Sequence, residues 1–209
     1  MVPGNHDIPY YDLWRRVLAP LERFHRYISS VSSDVYIDDE IAVVGMNTVQ
    51  RLAFTRGRIT NAELTRVEKI FADIPTHVLR VVFAHHPIAL PAPSLAHHRH
   101  MHQVVHGREK AITRLSNAKV DVFLSGHLHV FNVADTSVGN KIAGYGGVII
   151  SAGTALSTRL RGEDSSFNVV KLEGGHITVD HYRFDDDVRE FNLRTTAQFA
   201  ETPSGWKKI

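Results

Sequence analysis

The sequence predicts an α/β fold built in layers, and three observations support this prediction. Strand-like and helix-like segments alternate through the first two thirds of the chain, whereas the last third is mostly strand-like. The segments 77–84 and 120–124 are short, nearly continuous apolar runs, which are typical of strands buried on both faces of a sheet. Both runs lead directly into sequences rich in histidine. We therefore expect them to lie in the centre of a sheet and to deliver polar groups at its edge.

Periodicity and turn signals predict the individual elements. Apolar residues at helical spacing indicate a helix within 10–21, and the acidic turn 38–40 lies between the two strands of a predicted hairpin. Thr60 and Glu63 form a capping box, so a helix is predicted to begin there and to end before Pro75. A further helix is predicted over 108–117. Later strands are predicted over 131–134, 147–151, 167–172, 176–184 and 190–195.

Length and composition limit the classes of protein to be considered. A chain of 209 residues suits one domain, which we place at residues 1–201, followed by a frayed tail at 202–209. The absence of cysteine excludes disulfides, thiolate metal sites and cysteine nucleophiles, and it suits a cytoplasmic location. A net charge of +2 gives no reason to expect nucleic acid or membrane as a partner. No apolar run approaches the roughly 20 residues that span a bilayer.

Three stretches concentrate polar side chains where metal ligands would be expected. They are Gly-Asn-His-Asp at 4–7, Ala-His-His-Pro at 84–87 and Ser-Gly-His-Leu-His at 125–129. Imidazole and amide oxygen favour Mn, Fe, Zn or Co. Several such ligands from different element ends are compatible with a two-metal hydrolytic centre. Such a centre also needs a bridging carboxylate, which these stretches do not provide, since Asp7 is better placed to orient the imidazole of His6.

In this order, the three stretches resemble the last three of five signature blocks of the calcineurin-like metallophosphoesterases. The resemblance covers residues 1 to about 172 and is greatest to the bacterial branch that includes class III cyclic-nucleotide phosphodiesterases. It implies a layered β-sandwich flanked by helices, with two divalent metals (Mn, Fe or Zn) in the intact site. It also implies hydrolysis of a phosphodiester or phosphomonoester by metal-bound hydroxide. The implied substrate is a small phosphate ester, for example a cyclic nucleotide.

The resemblance also implies a set of metal ligands. Asn5, His85 and His127 match ligands of the family's second metal, and His129 matches a ligand of the first. Within the pair at 85–86, His85 is favoured because it directly follows the strand and matches the ligand position. His86 is then expected to support the ligands or to face the substrate.

The same resemblance assigns His6 and Asp7 to catalysis. His6 would lie near the scissile phosphate as the acid for the leaving group or as an electrostatic stabiliser, and Asp7 would hold it. The family's Asp-x-His and Gly-Asp-x-x-Asp blocks, which supply the bridging Asp, do not occur before residue 4. We therefore expect a weakened site and an open apolar face on the strand at 77–84, which favours poor solubility or oligomer formation. The alternatives are a catalytically incompetent remnant, a partner-binding fragment, or a separate chain that supplies the missing blocks.

Two polar loops leave further alternatives open. The cluster from His97 to His106 is either an accessory metal site or, as we favour, a solvated loop that lines the substrate site. Arg51, Arg56 and Arg58 either contact a phosphate through their guanidinium groups or belong to a solvated loop, and the second is slightly favoured.

Overall fold

The computed structural model describes residues 1–89, 104–136, 144–156 and 164–209. Within these ranges the chain forms two β-sheets that pack face to face, and helices cover the outer face of the first sheet. This arrangement confirms the predicted α/β class and the layered sandwich flanked by helices. The segment 97–103 of the histidine-rich loop lies outside the described residues.

The predicted helices and strands are present, although several of their bounds differ from the prediction and further elements occur. The helices are a 3-10 turn at Asn5–Asp7, α1 at Leu13–Leu18, α2 at Glu22–Tyr27, α3 at Asn61–Ala72 and α4 at Arg108–Asn117. The strands are β1 at Val35–Ile37, β2 at Ile41–Met46, β3 at Leu79–Ala84, β4 at Val122–Ser125, β5 at Asn132–Asp135, β6 at Val148–Ser151, β7 at Ser166–Glu173, β8 at His176–Asp185, β9 at Glu190–Thr202 and β10 at Gly205–Lys208.

The first sheet places the ends of its central strands side by side. Its order among the described strands is β1-β2-β3-β4-β6-β5, in which β2, β3, β4 and β6 are parallel and the outer strands are antiparallel to their neighbours. Ala84, at the end of β3, is paired with Ser125, at the end of β4. The residues that follow these strands therefore meet at one edge, where ligands of open α/β sheets usually bind.

Each face of the first sheet has its own apolar core. Helix α3 begins at Thr60, whose side-chain oxygen accepts a hydrogen bond from the Glu63 N–H at 3.1 Å, as the capping box predicts. It packs its apolar side on one face of the sheet together with α4. The other face packs against the antiparallel second sheet, whose order is β10-β9-β8-β7. The apolar contacts between the sheets include Val81, Val122, Val148, Ile177, Val179 and Phe199.

The end of the chain is ordered, where a frayed tail was expected. Residues Gly205–Lys208 form β10, which pairs antiparallel with β9. Trp206 is only 2% exposed, and its indole N–H donates to the carboxylate of Asp121 at 2.8 Å. Burial of this large aromatic side chain fixes a strand of only four residues, which is too short for a periodic pattern to reveal. The predicted domain boundary at residue 201 stays a prediction.

The exposed apolar surface also differs from the expectation. Strand β3 was expected to expose an apolar face, but it lies between β2 and β4 with both faces covered, so this expectation is wrong. The helix predicted within 10–21 is shorter, at Leu13–Leu18, and a second helix that was not predicted follows at Glu22–Tyr27. In α1, Trp14 is 80% exposed and Leu18 is 76% exposed.

Within the described ranges, no helix combines the length and apolar character needed to cross a membrane.

Candidate metal centre

The two central strands bring His85 and His127 together. His85 directly follows β3, and His127 lies two residues after the end of β4. The N–H of Gly126 donates to the His85 carbonyl at 3.1 Å, which locks the two strand ends together. His127 and His129 adopt φ angles of 66° and 59°, a left-handed conformation that is uncommon for residues other than glycine. Such backbone strain is concentrated at functional sites.

Asn5 completes a set of three potential ligand atoms. Its side-chain oxygen Oδ1 lies 2.9 Å from Nε2 of His85, and that nitrogen lies 3.1 Å from Nδ1 of His127. Two ligand atoms on one ion, each about 2.1 Å from it, are separated by about 3.0–3.4 Å. The observed separations therefore fit a single divalent ion held by one amide oxygen and two imidazole nitrogens. The donor set also fits Mn, Fe or Zn.

A buried arginine supports the Asn5 side chain. The Asn5 amide nitrogen donates to the Phe54 carbonyl at 3.2 Å, which fixes its oxygen toward His85. Arg16 is 3% exposed and donates to the carbonyls of Pro9 at 2.9 Å and Ala53 at 2.7 Å. Its guanidinium carbon also lies 4.1 Å from the centre of the Phe54 ring. Sequence reasoning missed this support because Arg16 carries no motif and its partners are backbone carbonyls.

Burial keeps the imidazoles of His85 and His86 neutral at pH 7. Desolvation is the main cause that lowers the pKa of His85 from 6.5 to about 4; the charge of Asp7 opposes this shift, and His6 and His129 add to it. Desolvation likewise lowers the pKa of His86 to about 3. A neutral imidazole has the free nitrogen lone pair that a metal needs. The charges that act on His85 also show that the structure brings His6, Asp7 and His129 near it.

His86 is held behind the ligand atoms. It is fully buried, and its Nδ1 lies 2.9 Å from the hydroxyl of Thr48. Its ring centre is 4.5 Å from that of His127, and potential ligand atoms of His85, His86 and His127 lie within 4.8 Å of one another. Complete burial is incompatible with the expected substrate-facing role, whereas a supporting role agrees with the Thr48 contact. No sequence signal pointed to Thr48.

The catalytic pair predicted from the sequence lies on the turn that carries Asn5. His6 and Asp7 are both exposed, and the Asp7 carboxylate accepts the Gly4 N–H at 2.7 Å, which closes the turn. The orientation of His6 by Asp7 stays a prediction. Across the described parts of the chain, no aspartate or glutamate joins the histidine cluster as a further metal ligand. The described residues therefore provide ligands for one ion without a carboxylate bridge.

The basic loop after β2 has mixed contacts. Arg51 donates to the Val17 carbonyl at 3.3 Å, which ties the loop to α1. Arg58 forms an isolated β-bridge with His106, and Arg56 lines an adjacent cavity. Arg51 therefore has a structural contact, whereas Arg56 contributes to the wall of the cavity.

Polar ligands that converge at the carboxyl ends of parallel strands define a candidate metal centre in a layered α/β fold. A sequence profile of the calcineurin-like phosphoesterases matches residues 1–131, and the chain belongs to this family. This finding confirms the resemblance inferred from the three histidine-containing stretches. A search of curated proteins gave no significant match.

A solved phosphatase structure agrees on the fold. The purple acid phosphatase PPD1 of yellow lupin (Lupinus luteus) is 13% identical with a TM-score of 0.54 over 83% of this chain and 33% of that one. The chain thus spans about a third of the phosphatase's length, and the likeness shows the fold alone. A Vps29 double mutant from Entamoeba histolytica is 13% identical over 65% of this chain and 89% of that one. Its TM-score of 0.30 is too low to inform the function of this chain.

Proposed function

We propose that the chain is a metal-dependent phosphoesterase that hydrolyses a phosphodiester or phosphomonoester. The observation that carries this proposal is the convergence of Asn5, His85 and His127, whose ligand atoms are 2.9 and 3.1 Å apart, in a member of a phosphoesterase family. The substrate class is a small phosphate ester, and a cyclic nucleotide is one candidate. The proposed location is the cytoplasm.

The proposal gives the clustered residues separate tasks. Asn5, His85 and His127 hold a divalent ion, with Mn, Fe and Zn as the candidates, and His129 serves the other metal of the family's two-metal site. A metal held there would act as a Lewis acid on a phosphoryl oxygen and would lower the pKa of a water molecule. The Phe54 carbonyl keeps the Asn5 oxygen directed at His85, and buried His86 packs behind the ligands.

His6 is the proposed proton donor to the leaving group. It lies on the exposed turn next to Asn5, so its imidazole is accessible to a phosphate bound at the centre. During hydrolysis a water oxygen forms a bond to phosphorus while the bond from phosphorus to the leaving oxygen breaks. The imidazolium of His6 then gives its proton to that leaving oxygen, and the water proton goes to solvent. Asp7, whose carboxylate closes the same turn, is proposed to hold His6 in position.

A second candidate function is a partner-binding protein that holds metal without hydrolysis. It is favoured by the lack of a carboxylate in the histidine cluster, as far as the chain is described, and by the exposed apolar side chains of α1. Both candidates predict metal binding by Asn5, His85 and His127. They differ in whether the bound metal supports hydrolysis.

The test is hydrolysis of bis(4-nitrophenyl) phosphate by the purified chain with added Mn²⁺. We expect a rate that depends on Mn²⁺ and is abolished by His127→Ala. The matched control is His77→Ala, which replaces an exposed histidine at the opposite end of β3 and should leave the rate unchanged. Folded protein that binds Mn²⁺ but gives no rate above the His127→Ala background would contradict hydrolysis and support the second candidate.

A further inference from the structure

A basic cavity of about 460 Å³ lies at the start of helix α4. Its volume is within the roughly 300–1,000 Å³ of small-molecule sites. Arg56, Arg108 and Lys110 contribute permanent positive charges to its wall, His106 adds an imidazole, and Glu109 contributes the one carboxylate among the lining residues described. Within the described ranges, neither Arg108 nor Lys110 forms an ion pair. The wall is therefore complementary to an anion.

Backbone hydrogen bonds connect the wall of this cavity to the histidine cluster. The His106 N–H donates to the Gly57 carbonyl at 2.8 Å, and the Val105 N–H donates to the Pro87 carbonyl at 3.1 Å. Gly57 lies directly against His86, because a Cβ atom at this glycine would be only 2.5 Å from Cγ of that ring. The ring centre of His86 is in turn 4.8 Å from that of His85. Gly57 and His86 thus lie in line between His106 in the cavity wall and the candidate ligand His85.

The first turn of α4 strengthens the positive character of the wall. Gly107, the residue before the helix, has a φ angle of 85° and no side chain that could accept the first N–H groups. These N–H groups belong to a helix of ten residues, whose dipole places partial positive charge at this end. Because the same turn lines the cavity, the helix start and the side chains of Arg108 and Lys110 favour the same ligand charge.

We propose that this cavity binds a phosphate group. Guanidinium groups hold phosphate oxygens through paired hydrogen bonds, while an ammonium acts as a point charge, and the wall offers both. The further step rests on the proposed function: the phosphate is carried by the substrate, as a second phosphate beside the one that is hydrolysed. The preferred substrate is then a small phosphoester with two phosphate groups, and the cavity sets this preference.

The first arm of the test measures binding to the cavity without any metal. Inorganic phosphate is titrated calorimetrically into the chain in EDTA, so that the result does not depend on the metal centre or on hydrolysis. The double variant Arg108→Gln/Lys110→Gln should bind at least about ten-fold more weakly, because it loses two charge-assisted contacts. The matched control Lys69→Gln, an exposed lysine of α3, should bind as the unaltered chain does. Equal binding by the double variant, or no binding by the unaltered chain, would overturn the proposal.

The second arm distinguishes a substrate phosphate from free phosphate. Thymidine 5′-monophosphate and thymidine 3′,5′-bisphosphate are titrated into the chain with Mn²⁺ present. Tighter binding of the bisphosphate by at least about ten-fold, lost in the double variant, is the expected result. Equal affinity for the two nucleotides would show that the cavity takes only free phosphate and would overturn the substrate preference. If the unaltered chain binds inorganic phosphate but does not hydrolyse bis(4-nitrophenyl) phosphate, the proposed function is contradicted and the phosphate site is retained.

Discussion

The side-chain oxygen of Asn5 lies 2.9 Å from Nε2 of His85, although 80 residues separate the two in sequence. The contact joins the turn at Asn5–Asp7 to the end of β3. Oδ1 of Asn5 and Nε2 of the neutral His85 imidazole are both potential metal ligands, so one cation bound between them would engage both. This relationship ties the shape of the turn to the metal affinity of the centre.

Replacing Asn5 should weaken metal binding. Asn5→Ala removes one proposed ligand and leaves the two imidazoles. We expect the Mn²⁺ dissociation constant to rise by at least about ten-fold, because the loss of a residue that only supports a ligand already costs about 10–100-fold in metal affinity. Calorimetric titration with Mn²⁺ measures the change. Asn61→Ala, at an exposed position in α3, is the control and should keep the original affinity. An unchanged Mn²⁺ affinity in Asn5→Ala would show that Asn5 is not a ligand of the metal.

Arg16 should affect both stability and metal affinity. Arg16→Gln shortens the side chain and breaks its hydrogen bonds to Pro9 and Ala53, so we expect the free energy of unfolding to fall by about 2 kcal/mol or more. The loop that carries Phe54 should then hold Asn5 less firmly, so that Mn²⁺ affinity also decreases. Urea unfolding and Mn²⁺ titration give the two readouts.

The neighbouring Arg15 is the matched control for this prediction. Its ion pairs with Asp12 and Glu22 are solvent-exposed at 4.0 and 3.6 Å, so Arg15→Gln should change stability by less than about 1 kcal/mol. Its Mn²⁺ affinity should stay at the original value. An Arg16→Gln variant that loses stability but keeps its Mn²⁺ affinity would show that the loop carrying Phe54 does not hold Asn5 in position for the metal.

The buried histidines should make stability fall in acid. The pKa values of His85 and His86 in the folded chain are about 4 and about 3, below the ordinary 6.5, so the unfolded chain binds more protons below pH 6.5. The contribution of the two neutral imidazoles to the free energy of unfolding is fully present above pH 6.5, and it is lost as the pH falls toward 4 and then 3. We expect the free energy of unfolding in EDTA to drop over this interval by more than about 1.4 kcal/mol, the equivalent of one pKa unit.

Thermal unfolding between pH 7 and pH 4 measures this dependence. His86→Gln should flatten the decrease because it removes a buried titrating group. His77→Gln, at an exposed position, should leave the decrease as it is. A curve for His86→Gln that follows the unaltered chain would show that His86 does not govern acid stability.

Asp121 should be important for joining the two sheets. Its carboxylate accepts hydrogen bonds from the backbone N–H of Arg80 at 2.7 Å, the Tyr145 hydroxyl at 2.7 Å and the Trp206 indole N–H at 2.8 Å. Burial and the hydrogen bond to Asp121 both raise the pKa of Tyr145, as expected for a hydroxyl that donates to a carboxylate. Asp121→Ala leaves three donors without this acceptor. The free energy of unfolding, measured with urea, should therefore fall by about 3 kcal/mol or more. Asp186→Ala, in an exposed turn, should change stability little.

Local signals were enough to predict most of the framework and the ligand candidates. The helix Arg108–Asn117 and the hairpin of β1 and β2 follow from periodicity, and His85 and His127 follow from their positions after apolar strands. The contributions of Arg16 and Thr48 were not predictable, because each acts through a partner that is distant in sequence. The ordered end of the chain was missed for the same reason, since Trp206 gains its stability from Asp121.

The most direct test of the metal centre is the number of Mn²⁺ ions bound per chain, measured by electron paramagnetic resonance as Mn²⁺ is added. The described ligands predict one strongly bound ion in the unaltered chain. They also predict its loss in both His85→Ala and His127→Ala, with circular dichroism confirming that each variant is folded. One ion per chain that disappears in both variants is the predicted result. A folded chain that binds no Mn²⁺, or variants that bind it as before, would contradict the central claim that Asn5, His85 and His127 form a metal centre.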